Sequence, residues 1–75
     1  MSDLLKKFGN NVQKFRRFEG ISQEELAFRA DIHRTFLSEV ERGKRNINIY
    51  NLCKIAKALN KEIGEFFPPI NTICV

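Results

Sequence analysis

Two helix starts and two helix stops crowd into the stretch Ile21–Asn46, and nothing else in the chain restricts the fold as tightly. Ser22-Gln23-Glu24-Glu25 reads as a capping box, in which the Ser22 hydroxyl accepts from the Glu25 amide and the Glu25 carboxylate reaches back to the Ser22 amide. Ile21 and Leu26 stand where a hydrophobic staple would close, and Glu24 and Glu25 lie at the positive end of the helix dipole. Leu26, Ala27 and Ala30 make the inward face, and the two alanines let another helix approach closely. Asp31 stands where a left-handed residue ends the helix, a conformation Asp tolerates better than most non-glycine residues. Ile32 plugs the turn, and His33 takes the N-cap position of a further helix over Arg34–Glu41. In that helix Leu37 and Val40 face inward; Arg34, Thr35, Ser38, Glu39 and Arg42 face outward; Gly43 stops it. Helices of about eight residues do not persist alone, so the rest of the chain must hold this pair.

The flanking segments suit that task. Leu5, Phe8, Val12 and Phe15 recur at helical spacing within residues 4–19, and Gly20 ends that helix. Gly9 inside it costs about 1 kcal/mol relative to Ala, which close approach to a neighbouring backbone would offset. After the basic loop Lys44-Arg45-Asn46, Asn48 is a good N-cap for a helix over Ile49–Leu59 with Ile49, Leu52, Cys53, Ala56 and Leu59 on its apolar face. A short fifth helix over Glu62–Phe67 is expected before Pro68-Pro69 forbids more. The pattern predicts an all-α, compact five-helix domain over residues 1–75, with its core at about 4–67 and an apolar tail at 68–75.

Composition removes several function classes. The chain has 75 residues, 43% hydrophobic and 29% charged, enough for one domain with a limited core. No apolar run approaches a membrane span, and the N-terminal residues lack a signal peptide's apolar core, so a cytoplasmic protein is expected. Cys53 and Cys74 have no zinc-ligand spacing; neither a metal nor another cofactor is expected, and Cys53 reads as a small buried hydrophobe. With one His, no nucleophile beside a base and no phosphate-cradling glycines, neither an enzyme nor a small-molecule substrate is expected. Net charge is +4, unevenly spread: +3 over residues 1–20, −3 over 21–41, +6 over 42–61 and −2 over 62–75. A basic block directly after the paired helices suits a phosphate-contacting surface, although a solvated basic face would carry the same charge.

The sequence Gly20-Ile21-Ser22-Gln23-Glu24-Glu25-Leu26-Ala27, followed by Ala30, Ile32, Leu37-Ser38, Val40-Glu41-Arg42-Gly43 and Ile55-Ala56-Lys57-Ala58-Leu59, resembles the phage repressor/Cro-like helix-turn-helix family. The likeness covers roughly residues 5–67, with apolar positions and both glycine stops at the family's spacing. His33-Arg34-Thr35-Phe36-Leu37-Ser38 and the short chain look most like the controller proteins of restriction–modification systems. The resemblance implies a dimeric transcriptional regulator on a palindromic double-stranded DNA operator, with Arg34–Glu41 as the recognition helix. Arg34 would read guanine, Thr35 a base edge or thymine methyl, and Ser38 and Glu39 edges one turn further on. Phe36 reads either as core or as a thymine-methyl contact. Gln23, His33, Arg42, Lys44, Arg45 and Asn46 would hold phosphates. Arg16 and Glu41 are implied to be an ion pair bracing the first helix to the recognition helix. A homodimer would use Ile63, Phe66, Phe67 and Ile70. The other reading of the same fold is an antitoxin-type protein-interaction module. Phe28 departs from the pattern, being apolar at a position usually polar and outward.

Overall fold

The structure, a computed structural model, describes residues 2–67. Four α-helices follow one another: α1 (Ser2–Phe18), α2 (Gln23–Ala30), α3 (Arg34–Glu41) and α4 (Ile49–Ala58), then one turn of 3-10 helix, Ile63–Phe66. The fold is all-helical, as the periodicity predicts. The fifth helix is the exception: its segment forms only that turn, and Phe67 is already extended at φ −119° and ψ 148°. Phe67 precedes Pro68, whose ring disfavours the helical region for the residue before it.

The core joins every element. Phe8 and Val12 of α1, Leu26, Ala27 and Ala30 of α2, Leu37 and Val40 of α3, and Leu52, Ile55 and Ala56 of α4 are buried together with Leu59, which caps α4, and Phe66. Helix α3 packs against α1 and α2, α2 also packs on α4, and the 3-10 turn closes over α1 and α4. Gly9 sits where α1 crosses the end of α3: a Cβ there would strike the Val40 carbonyl oxygen and lie 2.8 Å from that of Glu41.

Two expectations about burial are corrected. Ile49 and Cys53, expected on the apolar face of α4, are both exposed, Ile49 at 70%. At 3.6 residues per turn they stand roughly 70° and 110° round from the centre of the Leu52–Ile55–Ala56–Leu59 stripe, on its flank. Phe66, assigned to an interface with a second copy, is wholly enclosed by its own chain. Its ring meets Phe15 edge-on at 5.2 Å and Phe8 at 5.6 Å, and its carbonyl accepts from Asn11 Nδ2 at 2.8 Å. Phe67 is half-buried, stacked on Phe8 at 5.3 Å, and Ile63 is also half-buried. Ile70 lies outside the described residues.

Candidate nucleic-acid interface

Local hydrogen bonds set the angle between α2 and α3. The Ser22 hydroxyl accepts from the Glu25 amide at 3.0 Å, capping α2 as the sequence predicts. The reciprocal arm of the capping box is not made. The Glu25 carboxylate accepts instead from Arg29 Nε at 2.8 Å, one helical turn on, where a cation competes with a neutral amide. Asp31 ends α2 in the left-handed conformation, φ 56° and ψ 48°. The Ile32 amide then donates back to the Ala27 carbonyl at 3.0 Å, and the chain turns sharply. His33 is extended, and its Nδ1 accepts from the Thr35 amide at 3.1 Å. The sole histidine therefore caps α3, with Nε2–H left as a donor beside the helix start.

At the far end, Gly43 takes a positive φ of +71°, and the Lys44 amide donates to the Glu39 carbonyl at 2.9 Å. This left-handed stop turns Lys44-Arg45-Asn46 back alongside α3. A Cβ on Gly43 would also lie 2.7 Å from the Lys6 side chain, so α1 closes against this turn.

A buried ion pair fixes α3 to the rest. Arg16 Nε and Nη2 donate to the two carboxylate oxygens of Glu41 at 2.7 and 3.0 Å, with side-chain exposures of 10% and 1%. Arg16 Nη1 donates to the Ile21 carbonyl at 2.9 Å, tying in the loop before α2. Gln23 Nε2 donates to Glu41 Oε1 at 3.0 Å. Gln23, expected at the phosphates, is thus half-buried with one amide N–H spent inside the protein. No periodicity or cap signal reveals this, because the partner lies 18 residues away.

The residues expected to read bases fall on one helix but differ in freedom. Arg34 and Thr35 are exposed at the first turn of α3, while Phe36, Ser38 and Glu39 are half-buried. Phe36 packs partly on the core, and the Arg45 guanidinium lies 5.2 Å from its ring centroid. Arg45 Nη1 is also 3.5 Å from Glu39 Oε1. Arg34 Nη1 is 3.9 Å from Glu24 Oε2, a loose contact between two exposed side chains. His33, Arg42, Lys44, Arg45 and Asn46 are all exposed around the two ends of α3, and Arg42 Nε donates to the Ser38 carbonyl at 3.4 Å.

The basic block over residues 42–61 is divided by the fold. Arg42, Lys44 and Arg45 lie beside α3, whereas Lys54 Nζ donates to the Asp31 carbonyl at 3.3 Å at the end of α2. Lys61 Nζ lies 4.8 Å from the Phe15 ring centroid and 4.0 Å from Glu65 Oε1. Only part of that charge is therefore available to an anionic partner at the reading surface. Among the described residues no group of three or more His, Cys, Asp or Glu side chains could hold a metal, and no helix is long and apolar enough to cross a membrane.

An exposed helix start, held on a buried brace and flanked by cations, can enter a DNA groove and meet the strands beside it. Known proteins resemble this chain in sequence and in fold. The helix-turn-helix family matches residues 12–66. Control protein C.BamHI of Bacillus amyloliquefaciens is 49% identical over 63 residues, spanning 79% of this chain and 78% of its own. The restriction-modification controller protein C.AhdI from Aeromonas hydrophila superposes with a TM-score of 0.82 at 43% identity, covering 84% of this chain and 96% of its own. C.Esp1396I bound to a 19 base pair DNA duplex superposes with a TM-score of 0.76 at 35% identity, covering 83% of each chain.

Proposed function

The chain belongs to the helix-turn-helix family, and on that premise we propose that it is the controller protein of a restriction–modification system: a transcriptional regulator that binds a palindromic double-stranded DNA operator as a dimer. The observation that carries this reading is the exposed first turn of α3, with Arg34 and Thr35 presented on a helix that Arg16 and Glu41 hold rigidly from behind. The likeness to a controller protein bound to duplex DNA supports it. So does the likeness to C.AhdI, which extends over nearly all of that chain.

Arg34 and Thr35 read base edges, with Ser38 and Glu39 one turn further along α3. His33, Arg42, Lys44, Arg45 and Asn46 meet phosphates on the two strands and fix register. One such domain reads few base pairs, and two-fold pairing doubles the contacts without new sequence. With Phe66 enclosed, the apolar surface that a second copy covers is the exposed start of α4, Ile49 and Tyr50 at 70% and 67%.

The test is selection of bound duplexes from random DNA. The expected result is one enriched motif with inverted half-sites about one helical turn, roughly 34 Å, apart. Recovery of unenriched DNA would sink the proposal. A second reading, an antitoxin-type partner of another protein, is favoured by one observation, the exposure of Phe28 at 81% on the outer side of α2. A small toxin encoded next to this chain, in place of an endonuclease or methyltransferase, would select that reading.

A further inference from the structure

Arg45 is a flanking cation whose guanidinium rests on side chains of the reading helix itself. Its guanidinium sits against the outward side of α3, 3.5 Å from a Glu39 carboxylate oxygen and 5.2 Å from the centre of the Phe36 ring. The side chains are 53% and 34% exposed, so the pair lies at the edge of the surface that faces the groove. Glu39 is the sole carboxylate among the outward residues of α3, and a carboxylate facing DNA is repelled by phosphates unless it finds a donor.

We infer that Glu39 makes the Arg45 phosphate contact conditional on sequence. On arbitrary DNA, moving Arg45 to a phosphate exchanges one anionic partner for another and strands Glu39 among like charges. Arg45 therefore stays on Glu39 and adds little. Where the duplex offers a donor to Glu39, such as a cytosine amino group in the major groove, the carboxylate is satisfied by the base and Arg45 is released to the strand. A residue read as a possible base contact thus also acts as a restraint on non-specific binding. This deepens the DNA-reading function proposed above and rests on it.

The experiment uses the full chain, the most enriched duplex from the selection and a random duplex of equal length, each titrated across a salt series. Glu39→Gln keeps the size and removes the charge. The variant is expected to bind random duplex about two- to fivefold more tightly, the scale of one exposed ion pair. Its salt slope on random duplex steepens by about one unit as Arg45 joins the phosphate contacts. Affinity for the enriched duplex does not rise, so the ratio of the two falls. In an Arg45→Ala background the same Glu39→Gln change leaves the random-duplex slope unaltered. An unchanged slope in the single variant overturns the inference. So does an equal gain on both duplexes, or a steepening that survives Arg45→Ala, because Glu39 would then act only as bulk charge. A wild-type protein that binds the enriched and random duplexes equally overturns the DNA-reading function itself, and the inference with it.

Discussion

Arg34 and Lys44 are both exposed cations at the ends of one helix, yet they should fail differently when removed. Arg34 stands at the start of α3, where a side chain reaches base edges, and its planar fork matches the guanine O6 and N7 pair. Arg34→Ala is expected to cost about 1–3 kcal/mol on the operator and to relax preference at one base pair; binding to a panel of single-base operator variants reads this. Equal weakening on random DNA would make Arg34 a phosphate contact. Lys44 follows the Gly43 stop, on the path back past α3. Lys44→Ala should flatten the salt dependence by about one unit and leave sequence preference intact. The caps among these residues were legible in sequence because they are local. The Asp31 turn, the Ser22 cap and the His33 cap depend on neighbours within five positions. The partners of Gln23 and Arg45 were not legible, because a flexible polar side chain takes whichever charge the fold brings within reach.

Among the elements, α1 crosses the end of α3 with no room for a Cβ at Gly9. The Cβ of Ala at position 9 would press on the backbone carbonyls of Val40 and Glu41, which cannot rotate away as a side chain can. Alanine favours an isolated helix by about 1 kcal/mol over glycine, but overpacking of this kind costs about 1–3 kcal/mol. Gly9→Ala is therefore expected to lower the urea midpoint despite its better propensity. Gly64 is the internal comparison: a Cβ there meets nothing within 4 Å, so Gly64→Ala should leave the midpoint unchanged or raise it. A stabilised Gly9→Ala variant would mean that the helices separate without penalty. The periodicity located α1, α2, α3 and α4 because each buries a stripe of recurring apolar residues. It overstated the last element, where Pro68 leaves room for a single turn only.

For the molecule as a whole, the Arg16–Glu41 brace and the exposed start of α4 decide whether the reading helix is rigid and whether it is doubled. Arg16→Met or Glu41→Leu alone leaves a buried charge without its partner, and each should cost about 3–5 kcal/mol in urea unfolding. The double change Arg16→Met with Glu41→Leu should cost less than the two single losses added, since no charge is stranded. Additive losses would show that the pair acts through packing alone. Ile49→Lys should shift the sedimenting species from dimer to monomer at micromolar concentration, with an unchanged helical signal. A dimer that survives the change would place the interface elsewhere. By itself the sequence determined where helices begin and end, which stripes turn inward and which residues cluster around α3, because caps and periodicity arise from groups within about one turn of each other. Tertiary structure alone decided that Phe66 is core while Ile49 and Tyr50 are surface, that Gln23 joins the brace, and that Arg45 rests on Glu39. Those outcomes turn on how helices rotate as they pack, and for the brace on charges 25 residues apart meeting away from water, which no window along the chain contains.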